Sequence, residues 1–125
     1  MKISVVTAIY NRPDHLRLLV AALAAQTRVP DEIAGADDGS DAATVAALDR
    51  WLPACGIPAK VVRQEKDGYR LAAARNLAIR AATGDYLLFL DCDIVPLPDA
   101  VAVHERAAAP RRLLCGNRAL LDETA

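Results

Sequence analysis

The chain has 125 residues, 54% of them hydrophobic and 25% charged, enough for one soluble domain built around a single core spanning residues 1–125. A formal net charge of -1 and a pI near 6.1, with no basic stripe interleaved with aromatics, exclude a nucleic-acid partner held on a charged face. Three cysteines, Cys55, Cys92 and Cys115, are odd in number and widely spaced, which excludes a disulfide framework or a zinc site and favours a reducing compartment.

Ile3 to Ile9 reads as a first strand, and Asn11-Arg12-Pro13-Asp14 ends that apolar run too soon for a signal peptide. Pro13 suits a first helical turn. Leu16, Leu19, Val20 and Leu23 then recur at i, i+3, i+4 and i+7, the spacing of one buried helical stripe, which Pro30 bounds. The longest apolar stretch, Leu18 to Ala25, is far short of the about 20 residues a membrane span needs. No transmembrane segment is therefore expected, and the expected location is the cytoplasm or the inner face of the membrane as a peripheral protein.

Glu32 to Ala36 is a second, Gly- and Ala-weakened strand running into the turn-forming Asp37-Asp38-Gly39-Ser40-Asp41. Val45, Leu48 and Leu52 carry a second helix stopped at Pro53, capped by Ser40 or Asp41. Val61-Val62 marks a third strand, followed by polar Gln64-Glu65-Lys66-Asp67-Gly68. A third helix is predicted from Arg70 to Ala82, with Gly84 as its terminator. Tyr86-Leu87-Leu88-Phe89-Leu90 is continuously apolar, as expected of a central parallel strand buried on both faces, and it ends on Asp91-Cys92-Asp93. Pro96 and Pro98 lead into a helix near Asp99, and Leu113-Leu114-Cys115 reads as a further strand. Strand and helix alternate throughout, which predicts an α/β fold with a mostly parallel sheet and helices on both faces.

Ligands of such sheets bind beyond the carboxyl ends of the strands, where both acidic clusters fall. Asp91 and Asp93, separated by one residue on extended backbone, point the same way and offer two hard oxygens to Mg²⁺ or Mn²⁺, ions that bind through one or two carboxylates plus substrate phosphates. Cys92 between them is expected to turn away and pack. Asp37 and Asp38 form the second acidic pair. A carboxylate can accept the imide N–H of uracil, making Asp38 a candidate base reader. Arg70 and Arg75, at the start of the third helix, are placed to meet a diphosphate. Tyr10 stands where the first strand emerges at the crevice, whereas Tyr69 and Tyr86 are expected to pack, Trp51 to close its helix against the core, and His15 and His104 to lie at the surface.

Taken in order, Val5-Val6-Thr7-Ala8-Ile9-Tyr10-Asn11-Arg12, Gln26-Thr27, Asp37-Asp38-Gly39-Ser40, Ala74-Arg75-Asn76 and Leu90-Asp91-Cys92-Asp93 resemble the family 2 glycosyltransferases of GT-A fold across nearly the whole chain. Gly68 to Asn76 and Gly116-Asn117-Arg118 are similar to the branch holding bacterial chondroitin and hyaluronan polymerases and galactosyltransferase-like enzymes. The resemblance implies an inverting transfer of sugar from a UDP-sugar to a saccharide or other acceptor hydroxyl. Ala8 and Tyr10 would border the nucleoside, Asp38 would contact uracil, Arg75 would lie near the nucleotide, Asp91 would meet the ribose or the metal shell, and Asp93 would ligate Mn²⁺ or Mg²⁺. Ala8-Ile9 departs from the Pro-Thr frequent in relatives and removes a hydroxyl contact. The acceptor region and the carboxylate base are expected beyond residue 125, with Asp122 and Glu123 too near the terminus to serve. A catalytically silent nucleotide-diphosphate-binding module shares every donor residue with this reading. A haloacid-dehalogenase-like phosphatase would also place Asp91-x-Asp93-x-Val95 after an apolar strand, but would need a downstream lysine, and none follows Lys66.

Overall fold

The computed structural model describes residues 1–121; Asp122 and Glu123 lie outside them. Strands β1 (Ile3–Ile9), β2 (Glu32–Asp37), β3 (Ala59–Arg63) and β4 (Tyr86–Phe89) form one sheet in the order β3-β2-β1-β4, every pairing parallel. Helices α1 (Pro13–Ala24), α2 (Ala42–Trp51), α3 (Leu71–Ala81) and α4 (Ala100–Ala107) connect or follow the strands, with a 3-10 turn at Leu52–Ala54. The chain steps outward from β1 to β3, then crosses back to the other side of β1 for β4. The strand order therefore reverses between β1 and β4, where a parallel sheet opens a crevice at its carboxyl edge.

Alternation along β1 divides the core. Ile3, Val5 and Ile9 face Leu16, Leu19, Val20 and Leu23 of α1, Leu48 of α2 and Val101 of α4. Val6, on the opposite face, packs with Ala36, Ala74 and Ala78 under α3. The small residues that weaken β2 as a sequence signal have a packing role here. Ala74 and Ala78 are fully buried and let α3 approach the sheet closely, and β2 is buried along its whole length.

Three expectations need correction. β4 is an edge strand of the described sheet, bonded only to β1, with Phe89 50% exposed; its apolar run fills the flank of the core at Leu88 without being covered on both faces. Leu113-Leu114-Cys115 forms no strand, and Leu113 is 87% exposed, because nothing among the described residues pairs with it. Gly84 does not end α3, which stops at Ala81 with Ala82 extended. A side-chain carbon at Gly84 would lie 2.8 Å from the Ser4 backbone nitrogen, so glycine is required for close approach to β1.

Beneath the sheet, at its amino edge, Glu32 gathers β1, β2 and the α3–β4 connection. It accepts from Ser4 Oγ at 2.6 Å, from the Thr83 N–H at 2.5 Å and from Thr83 Oγ1 at 3.0 Å, with Lys2 and Lys60 each 3.8 Å away. Burial alone would raise its carboxyl, but the hydrogen bonds from Ser4 and Thr83 outweigh that and hold it at about 2.

Candidate nucleotide-sugar site

At the carboxyl edge, the segments after β1, β2, β3 and β4 enclose a cleft of about 450 Å³. Ala8 and Tyr10 enter it as alternate residues of β1 and its exit, Asp38 from the bend after β2, Lys66 from the segment after β3, and Asp91 and Asp93 from the turn after β4. Five of the residues expected at the site thus meet in one concavity. Three expected there do not line it.

Asp37 is buried and turned into its own loop, where its carboxylate accepts from the Ser40 N–H at 3.1 Å and from the Ser40 hydroxyl. Arg70 directs its guanidinium to the Glu65 carbonyl at 2.6 Å, closing the loop ahead of α3. Arg75 donates to Asp91 Oδ1 at 2.8 Å and also borders a larger hollow of about 1030 Å³ along the open edge of β4. That hollow lies between β4 and residues 108–118, so Asp91 and Arg75 form its boundary with the cleft. The convergence of three carboxylates marks the smaller cleft as the candidate site.

The geometry of the acidic turn differs from the expectation. Asp91 to Ile94 is a turn closed by the Ile94 N–H donating to the Asp91 carbonyl at 3.0 Å, so the two aspartates reach the cleft by chain reversal and not by strand alternation. Cys92 is half-buried against the core yet also borders the cleft; burial, then Asp93 and Asp91, push its thiol up. Asp93 is exposed and has no ion pair among the described residues.

Gln64 and Lys66, neither singled out by the sequence, hold Asp38. Gln64 Nε2 donates to one carboxylate oxygen at 2.7 Å and Lys66 Nζ to the other at 3.1 Å. The Gln64 amide leads in keeping the Asp38 carboxyl below its ordinary range, Lys66 adds to it, and burial opposes both. Lys66 Nζ also stands 3.8 Å from the centroid of the Tyr10 ring, a cation–π contact over the face of the one aromatic that emerges from β1. Tyr69, expected to pack, is 84% exposed and borders the cleft, as does half-buried His15. His104 is half-buried too, its Nδ1 2.7 Å from the Tyr86 hydroxyl. Only the polar, turn-like spelling of residues 64–68 could have pointed to Gln64 and Lys66.

Among the described residues no three His, Cys, Asp or Glu side chains form a metal cage. The donors at hand are the Asp91 and Asp93 carboxylates; two hard oxygen ligands would suit Mg²⁺ or Mn²⁺ held together with a substrate's phosphates, and are too few for a structural cation.

A parallel sheet with carboxylates, a lysine and an aromatic ring gathered at its switch point defines an α/β protein with its ligand cleft at the carboxyl edge. Residues 4–119 match the model of glycosyl transferase family 2, and the chain belongs to that family. It is 39% identical over 97 residues to a chondroitin synthase of Escherichia coli, covering 77% of this chain and 14% of that protein. It is 34% identical over 97 residues to a hyaluronan synthase of Pasteurella multocida, covering 77% of this chain and 10% of that one. Among solved structures, residues 1–349 of S. aureus TarS in complex with UDP give a TM-score of 0.73 at 26% identity, covering 85% of this chain and 31% of that chain. A mannosyltransferase from Pyrobaculum calidifontis, in complex with GDP-Man and Mn²⁺, shares the fold with a TM-score of 0.75 at 24% identity, covering 87% of this chain and 33% of that one. The fold is GT-A. The chain spans only a small part of these relatives. Family membership also removes the phosphatase alternative.

Proposed function

We propose that this chain is the donor-binding part of an inverting glycosyltransferase that takes a UDP-sugar with Mn²⁺ or Mg²⁺ and passes the sugar to a saccharide hydroxyl. The observation that carries the reading is the meeting of Asp38, Tyr10 and Lys66 at one end of a cleft whose other wall holds Asp91 and Asp93. Uracil offers an N–H between two carbonyls, which an ionised Asp38 can accept while the Lys66 ammonium donates to a neighbouring oxygen. Cytosine presents an acceptor at that ring nitrogen and would face the carboxylate lone pair to lone pair. Tyr10 supplies a flat face beside them.

At the other wall, Asp91 and Asp93 would hold the divalent ion against the diphosphate, with Asp91 kept in place by Arg75. When bound, the ion neutralises charge on the departing diphosphate. Inversion follows from direct displacement, with the acceptor proton taken by a carboxylate base. The synthase names of the relatives support a growing polysaccharide as the acceptor.

The test is calorimetric titration of UDP, CDP, GDP and ADP into the protein and its Asp38→Asn variant. Guanine also carries an N–H beside a carbonyl, which makes GDP the demanding control. The reading expects UDP to bind most tightly and to lose roughly tenfold or more in the variant, the size of one charge-assisted hydrogen bond. Equal affinity for all four nucleotides, or indifference to Asp38→Asn, would overturn it.

A further inference from the structure

Asn11 and Ser40 tie the exits of β1 and β2 together in both directions. The Asn11 N–H donates to Ser40 Oγ at 2.7 Å, and the Asp41 N–H returns a bond to Asn11 Oδ1 at 2.9 Å. The Ser40 hydroxyl in turn donates to the buried Asp37 carboxylate, which also accepts the Ser40 N–H. A buried carboxylate therefore orients a hydroxyl, and the hydroxyl oxygen holds the backbone of the β1 exit.

That exit is under torsional strain. Asn11 and Arg12 are consecutive non-glycine residues in the left-handed region, at φ 52° and 53°. Asparagine tolerates this conformation; arginine does so only when its surroundings enforce it. The double reversal carries the chain from Tyr10, at the cleft, into α1 at Pro13. The Asp38 N–H holds the Ile9 carbonyl at 2.8 Å just before the corner, and the Leu16 N–H reaches the Arg12 carbonyl at 3.4 Å just after it, so among the described residues the bonds of Asn11 to Ser40 and Asp41 are the ones that set the corner between them, next to Tyr10. Strain held by an over-determined network beside a ligand cleft marks a positioning device.

We propose that Asn11 and Ser40 are positioning residues for nucleoside recognition, with Asp37 acting through Ser40, so that the two loops present Tyr10 and Asp38 in fixed register to the base. The proposal rests on the donor-site reading above. It gives Asp37, expected to touch the nucleotide, a role behind the site.

Ser40→Ala removes the acceptor for the Asn11 N–H. Asn11→Gly keeps the left-handed corner accessible but removes the acceptor for Asp41, and Asn11→Asp restores that acceptor. UDP and inorganic pyrophosphate, each with Mn²⁺, are titrated into the protein and all three variants. The expected result is a loss of roughly tenfold in UDP affinity for Ser40→Ala and Asn11→Gly, near-original affinity for Asn11→Asp, and pyrophosphate affinity unchanged throughout. A merely structural role would lower both ligands together and would overturn the proposal, as would UDP affinity indifferent to both loop-breaking variants while the unaltered chain binds UDP. An unaltered chain that does not bind UDP would instead remove the donor-site reading, and the positioning role with it.

Discussion

Arg75 and Asp91 form an ion pair of 2.8 Å that joins α3 to the turn after β4. Arg75 stands behind the candidate cleft, which Asp91 lines, and the pair ties Asp91 to α3 while leaving Asp93 without an ionic partner among the described residues.

Because both partners are about half-exposed, at 40% and 53%, the pair adds little to folding. Arg75→Met is expected to change unfolding free energy by less than about 1 kcal/mol. It should weaken UDP binding by roughly tenfold, since Asp91 loses the contact that orients it. Thermal unfolding and calorimetry on the same preparation separate the two effects; a large stability loss with unchanged binding would reverse the assignment.

Glu32 gives stability a pH dependence. Its folded carboxyl is depressed from 4.5 to about 2, so its contribution is fully present above the unfolded value and is lost as pH falls from about 4.5 through about 2. The depression corresponds to roughly 3 kcal/mol at neutral pH. Glu32→Gln should therefore be markedly less stable at pH 7, and the gap to the unaltered protein should narrow steadily below pH about 4.5. Urea unfolding across that range measures it, and a gap independent of pH would count against the hydrogen-bonded, ionised Glu32.

Gly39 and Gly56 both have positive φ, 77° and 83°, but differ in surroundings. A side-chain carbon at Gly39 would lie 2.5 Å from the Lys66 backbone nitrogen, whereas at Gly56 it would meet nothing within 4 Å. Gly56→Ala should cost only the left-handed penalty of about 1–2 kcal/mol. Gly39→Ala should cost more and should also weaken UDP binding, because the atoms that must shift belong to the residue paired with Asp38. Matched unfolding curves and UDP titrations of the two variants check the contrast.

The sheet and its helices were legible where a local period carries them. The alternation of β1 and the i, i+3, i+4, i+7 stripe of α1 predict elements that match the observed Ile3–Ile9 and Pro13–Ala24. β4 shows the limit: an apolar run reports contact with a core but not how many strands flank it. Asp38, Asp91 and Asp93 were legible as a set because each follows a recognisable strand. Gln64 and Lys66 were not, since they meet Asp38 across separations of 26 and 28 residues that no local pattern encodes. Asp37 and Asp38 look equivalent in sequence, but adjacent residues at the end of a strand point to opposite sides, one inward to Ser40 and the other to the cleft.

In the proposed donor site, Asp93 brings a divalent ion to a bound uridine diphosphate. Calorimetric titration of UDP, with and without Mn²⁺, into the protein and its Asp93→Ala variant decides whether it does. UDP affinity that rises with Mn²⁺ in the unaltered chain, and a metal-dependent gain that disappears in the variant, is the predicted result. UDP binding indifferent to both Mn²⁺ and Asp93, or no UDP binding at all, would contradict it.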